Sequence, residues 1–118
     1  MENSVSDFNK LRVYALAKEN VVSLAIIHNN NRQFGDLHDQ MQRAAISVIS
    51  NIAEGSGSGT NKQYIRFLNI ARGSNNELSA QLQLMVDLKQ IDHHQLINQT
   101  QSVGKMLSTL IKYLKDSN

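Results

Sequence analysis

Proline is absent from all 118 residues of this chain, so no position lacks its amide donor and no ring obstructs a preceding helical turn. Apolar residues recur at spacings of three and four, the period of a helix with one buried face. Long Val/Ile/Thr-rich alternation is missing, and with it the signal for a sheet. The predicted fold class is all-α, in a single domain spanning 1–118.

The core of such a fold must be aliphatic. Hydrophobic residues make up 41% of the chain, but aromatics only 5%, with no tryptophan. The chain has no cysteine, which excludes disulfides and thiolate metal sites and suits a reducing compartment. Met1 to Lys10 is polar and carries Glu2 and Asp7, unlike a signal peptide. The longest apolar run, Val21 to Ile27, is broken by Ser23 and is too short to span a bilayer. These features lead us to expect a soluble cytoplasmic protein without membrane contact.

The stretch from Met41 to Gly55 organises the chain. Met41, Ala44, Ala45, Val48, Ile52 and Ala53 fall on one face, with Arg43, Ser47, Ser50 and Glu54 forming a polar stripe beside it. The small residues keep this helix thin and allow a neighbour to approach closely. Gly55-Ser56-Gly57-Ser58-Gly59 is expected to end it.

Around it, the periodicity predicts a first helix over about 7–29, capped by Ser6 or Asp7, and a central helix over 36–55 capped by Asp36. The polar run Asn29 to Gly35 separates them, and Phe34 is the expected anchor of that loop to the core. Thr60-Asn61-Lys62-Gln63 matches the capping-box pattern and opens a third helix over 60–89. Its apolar positions, from Ile65 to Leu88, are too many for one stripe, so two covered faces are expected. Gly73 lies mid-helix, where glycine costs about 1 kcal/mol against alanine, and a close backbone approach is the expected compensation. Asp92-His93-His94-Gln95 opens a fourth helix over 92–115. Four helices with short connections imply an antiparallel up-down-up-down four-helix bundle, about 30 Å long or more at 1.5 Å per residue.

No catalytic constellation is present in this pattern. His93 and His94 diverge by about 100° on a helix and His28 and His38 flank a loop, so no metal site is expected. No histidine or activated nucleophile accompanies Glu54 and Glu77. The glycine-serine loop lacks the lysine and spacing of a phosphate cradle, and no cofactor is expected. Lys62, Arg66, Asn69, Gly73 and Glu77 share one helical face, which is expected to lie along the central helix. Arg43, Asn51, Glu54, Arg66 and Glu77 then form a hydrogen-bonded network that sets register, and Gly55 and Gly73 are counted with this structural set.

The formal charge is +2, with a sequence pI near 9.0, which permits contact with a polyanion. The residues placed to meet phosphate are Arg43, Lys62, Arg66 and Arg72, with Lys105, Lys112 and Lys115 on helix four.

From Phe8 to Leu114 the sequence resembles the four-helix bundle proteins encoded in intervening sequences of bacterial 23S ribosomal RNA genes. The resemblance rests on Phe8, Leu11 and Val13-Tyr14, on Arg43-Ala44-Ala45, and above all on Ser50-Asn51-Ile52-Ala53-Glu54-Gly55. It continues through Ile65-Arg66-Phe67-Leu68, Ala71, Gly73-Ser74, Glu77-Leu78 and Gln81-Leu82. The chain departs from the family pattern at Ile49, often proline, at Tyr14, often tryptophan, at Gln42, often arginine, and at Asn69 and Asn75, often apolar. What the resemblance implies is a homo-oligomer, typically a pentamer, with no known enzymatic activity. It also implies a relation to basic accessory proteins of retroelements that contact nucleic acid. On that basis nonspecific RNA or DNA binding by the assembled ring is expected, the alternative being a protein-interaction scaffold that never meets nucleic acid.

Overall fold

The computed structural model describes residues 11–30, 33–88 and 94–117. Four helices follow in order: α1 (Arg12–Asn30), α2 (Gly35–Ser56), α3 (Asn61–Asp87) and α4 (His94–Asp116). The expected caps at Ser6, Asp7 and Asp92 lie outside the described residues.

Contacts between neighbouring helices run in opposite chain directions. Gln42 of α2 donates to the Val21 carbonyl of α1, and farther back along α2 His38 stacks on His28. Gly55 meets Tyr64 while Ser47 bonds Ser74. Asn61 bonds the Leu114 carbonyl and Asn75 that of Thr100. The bundle is therefore antiparallel, 46 Å long and 21 Å across. α1 and α3 each pack on α2 and α4 and stand at opposite corners, and the α2/α3 seam is the most extensive.

The thin helix accounts for that seam. Ala44, Ala45, Val48 and Ile52 are buried, and α2 is shallow enough for the Ser47 and Ser74 hydroxyls to meet at 2.8 Å. Gly55 remains within the helix, and a Cβ there would sit 2.8 Å from Tyr64 Cδ1 and 3.1 Å from Phe67 Cβ. Gly73 behaves in the opposite way. It is exposed, and nothing lies within 4 Å of where its Cβ would be. The close approach expected at Gly73 occurs at Gly55.

The helix starts divide similarly. Thr60 caps α3 as expected, its hydroxyl accepting from Gln63 N at 3.1 Å. At α2 the capping position is Phe34, not Asp36. Phe34 has φ 59° in the left-handed region and makes no side-chain cap, and the residue is 43% exposed instead of anchoring the loop. Asp36 lies in the first turn, where its carboxylate complements the helix dipole.

The core falls into two apolar clusters. One gathers Ile52, Tyr64, Leu68, Val103, Leu107 and Ile111 with their neighbours. The other gathers Leu24, Met41, Leu78, Leu82, Met85 and Leu96. Where the clusters meet, α1, α3 and α4 supply Asn20, Asn75 and Thr100, all buried. A polar layer thus crosses the middle of the bundle.

Candidate nucleic-acid interface

Helix azimuth decides where each basic side chain goes. Lys62, Arg66, Asn69, Gly73 and Glu77 do share one face of α3, and all five are exposed. That face looks outward, away from α2, because α3 meets α2 through Tyr64, Phe67 and Ser74 instead. The network expected among Arg43, Asn51, Glu54, Arg66 and Glu77 does not form within the chain. Asn51 bonds the Ser47 carbonyl at 2.8 Å and Glu77 accepts from Gln81 at 3.4 Å. Arg43 and Glu54 face solvent. The guanidinium of Arg66 lies 5.2 Å from the centre of the Phe67 ring, within cation–π range.

Arg72 is separated from the other three. It points across the α3/α4 groove, where Nη2 donates to Asn69 Oδ1 at 2.9 Å and Nη1 approaches Ser108 Oγ at 3.5 Å. Around it lies an open groove of about 920 Å³ lined by Asn75, Asn76, Ser79, Thr100 and Lys105 among others, with no carboxylate in its lining. Lys112 and Lys115 continue the α4 stripe of Lys105 and Ser108 at spacings of three and four, and both are exposed. The set Arg43, Lys62, Arg66 and Arg72 therefore does not form one surface: Lys62 and Arg66 lie on the outer face of α3, Arg43 is exposed on α2, and Arg72 lines the α3/α4 groove with Lys105.

Charge is distributed unevenly between helix pairs. α3 and α4 carry six lysines and arginines against three carboxylates, a surplus of three positive charges. α1 and α2 carry three against four, a deficit of one. A net +2 for the whole chain thus conceals a basic side and a faintly acidic one.

At the far corner of α1 and α2, His28 and His38 stack with centroids 4.9 Å apart and planes 9° from parallel. Asp39 Oδ1 lies 3.8 Å from His28 Nδ1. Burial, followed by the His28 charge, lowers the His38 pKa below 6.5, and Asp39 opposes this. Among the described residues no group of three or more His, Cys, Asp or Glu could hold a metal. No described helix is long and apolar enough to cross a membrane.

A four-helix bundle with one basic flank and, among its described residues, no group of His, Cys, Asp or Glu that could hold a metal is the class these observations define. The model of the 23S rRNA-intervening sequence protein family matches residues 9–109, and the chain belongs to that family. A solved structure of similar fold is a protein with unknown function from the S23 ribosomal protein family of Bacteroides thetaiotaomicron VPI-5482. It superposes with a TM-score of 0.79 at 24% identity, covering 85% of this chain and 98% of that one. No curated protein matches the chain.

Proposed function

We propose that this chain acts without catalysis, as a homo-oligomer that associates with RNA or DNA irrespective of sequence through its basic α3/α4 side. The observation that carries this reading is the charge division, a surplus of three on α3 and α4 beside a deficit of one on α1 and α2. Repetition around a ring multiplies a modest surplus into a strong local field.

Support for assembly comes from apolar surface at opposite corners. On α3, Ile70 and Leu84 are exposed, with Leu88 just past its end, and on α1, Val22 and Ile26 are exposed. Unlike sets of exposed apolar side chains on diagonally opposite helices suit a head-to-tail contact, which closes into a ring when the rotation permits. A pentamer is the ring proposed, following the family resemblance.

The test is a filter-binding titration against structured RNA and duplex DNA at two salt concentrations. Binding should weaken steeply with salt as counterions are released. The absence of binding at low salt overturns the reading and leaves a protein-interaction scaffold in its place.

A further inference from the structure

Gly73 is a helical glycine that packing within the single chain does not require. It sits in the interior of α3 with nothing within 4 Å of where its Cβ would be, so no contact in the chain offsets the cost of glycine against alanine there. Around it the outer face of α3 keeps a regular stripe. Arg66, Ile70, Gly73, Glu77, Ala80 and Leu84 follow at alternating spacings of four and three, and all six are exposed. This is the period with which one helix presents a seam to another, and a glycine in the seam lets the second helix come close.

α1 carries a stripe of the same period. Ala15, Glu19, Val22, Ile26 and Asn29 also alternate spacings of four and three, and all are exposed. The two stripes stand at the same height in the bundle. The boundary between the core clusters falls between Ala17 and Leu24 on α1 and between Ala71 and Leu78 on α3. Glu19 and Val22 lie within the first interval and Gly73 within the second. Alternate helices of an antiparallel bundle run in the same direction, so equally oriented subunits in a ring bring α1 of one against α3 of the next in parallel.

Two in-phase matches of the stripes lie near equal height. One sets Val22 against Ala80 and Glu19 against Glu77, a contact between like charges. The other sets Val22 against Gly73 and leaves Glu19 one turn from Arg66, an attractive pair. That second match also places Ile70 against a shallow depression of about 300 Å³ bordered by Ala15, Lys18, Glu19, Val22 and Ser23.

We propose that the outer face of α3 receives α1 of a second copy of this chain, with Val22 over Gly73 and Glu19 paired with Arg66. This rests on the assembly reading above and assigns its seam. Arg66 then serves assembly and leaves phosphate contact to Arg72 and Lys105.

The test measures the mass of the full chain by sedimentation over a range of concentrations. Wild type should assemble at micromolar concentration. G73L fills the gap beneath Val22 and should raise the dissociation constant by about tenfold or more, while its monomer melts no lower than wild type because leucine favours the helix over glycine. E19R and R66E should each weaken assembly by about tenfold by setting like charges across the seam, and E19R/R66E should return it to within about threefold of wild type. Thermal melting establishes that each variant is folded. Should G73L not fold, the charge exchange decides. A folded G73L that assembles as wild type does, or an E19R/R66E chain that assembles no better than either single variant, overturns this seam while assembly stands. Wild type that stays at 13.2 kDa throughout overturns assembly and seam together.

Discussion

Gly55 on α2 and Tyr64 on α3 are packed so closely that a methyl group on Gly55 would lie 2.8 Å from the tyrosine ring. Tyr64 is buried and Phe67 closes the same site, so the ring has no free side to move towards. Gly55→Ala should therefore destabilise the bundle by about 1–3 kcal/mol through overpacking, despite the better helix propensity of alanine. Chemical denaturation of the two proteins checks this, and equal midpoints would show that Tyr64 can move aside.

Gly73 should respond in the opposite direction. It is helical, exposed and surrounded by open space, so Gly73→Ala should stabilise the folded chain by about 1 kcal/mol. Denaturation midpoints at a protein concentration where the chain is monomeric measure the effect. A loss of stability there would place Gly73 against a neighbouring backbone.

These two glycines also show what the sequence makes legible. Four helices, the Thr60 cap and an aliphatic core follow from periodicity and the lack of proline, because those signals are local. A glycine at the end of a run reads as a stop signal, yet Gly55 is still helical and its role depends on Tyr64, which reaches it only after the chain reverses. Gly73 reads as a packing glycine from its mid-helix position. Its shared azimuth with Arg66 and Glu77 was the signal that it faces outward. Phe34 misleads for a similar reason: hydrophobicity suggests an anchor, but its left-handed backbone turns the ring outward. The partnership of Arg72 with Lys105, and the stacking of His28 on His38, depend on inter-helix register and have no local signature.

The histidine pair predicts a pH dependence. The folded-state pKa of His38 is held below the ordinary 6.5, so between the two values the unfolded chain binds more protons than the folded one. Stability from this site is complete above 6.5 and declines as pH falls through 6.5 towards the folded-state value. The melting temperature should fall over that window in wild type. His38→Phe keeps a ring against His28 without a titrating nitrogen, and it should flatten the profile there. An equally steep decline in the variant would assign the effect to other groups.

Assembly should depend on the outer face of α3. Ile70→Glu/Leu84→Glu places two charges on residues that are exposed in the single chain, so helicity should be unchanged. The variant should sediment and scatter as a 13.2 kDa monomer at concentrations where wild type is a larger species. Wild type that is itself monomeric at micromolar concentration, or a variant that still assembles, would rule out this face as the subunit seam.

The layer of Asn20, Asn75 and Thr100 has a consequence for how the bundle opens. Cooperativity travels through continuous apolar packing, and here it meets a cross-section of buried polar side chains, where Asn75 bonds the Thr100 carbonyl and Asn20 Oδ1 has no partner. The half around Met41 and Met85 and the half around Tyr64 and Leu114 should then behave as separate unfolding units sharing the same four rods. Amide exchange along α3 should show two maxima of protection, near Leu68 and Leu82, with a dip at the polar layer between them. A bundle built this way can loosen at one end to admit or release a neighbour while the other end stays closed.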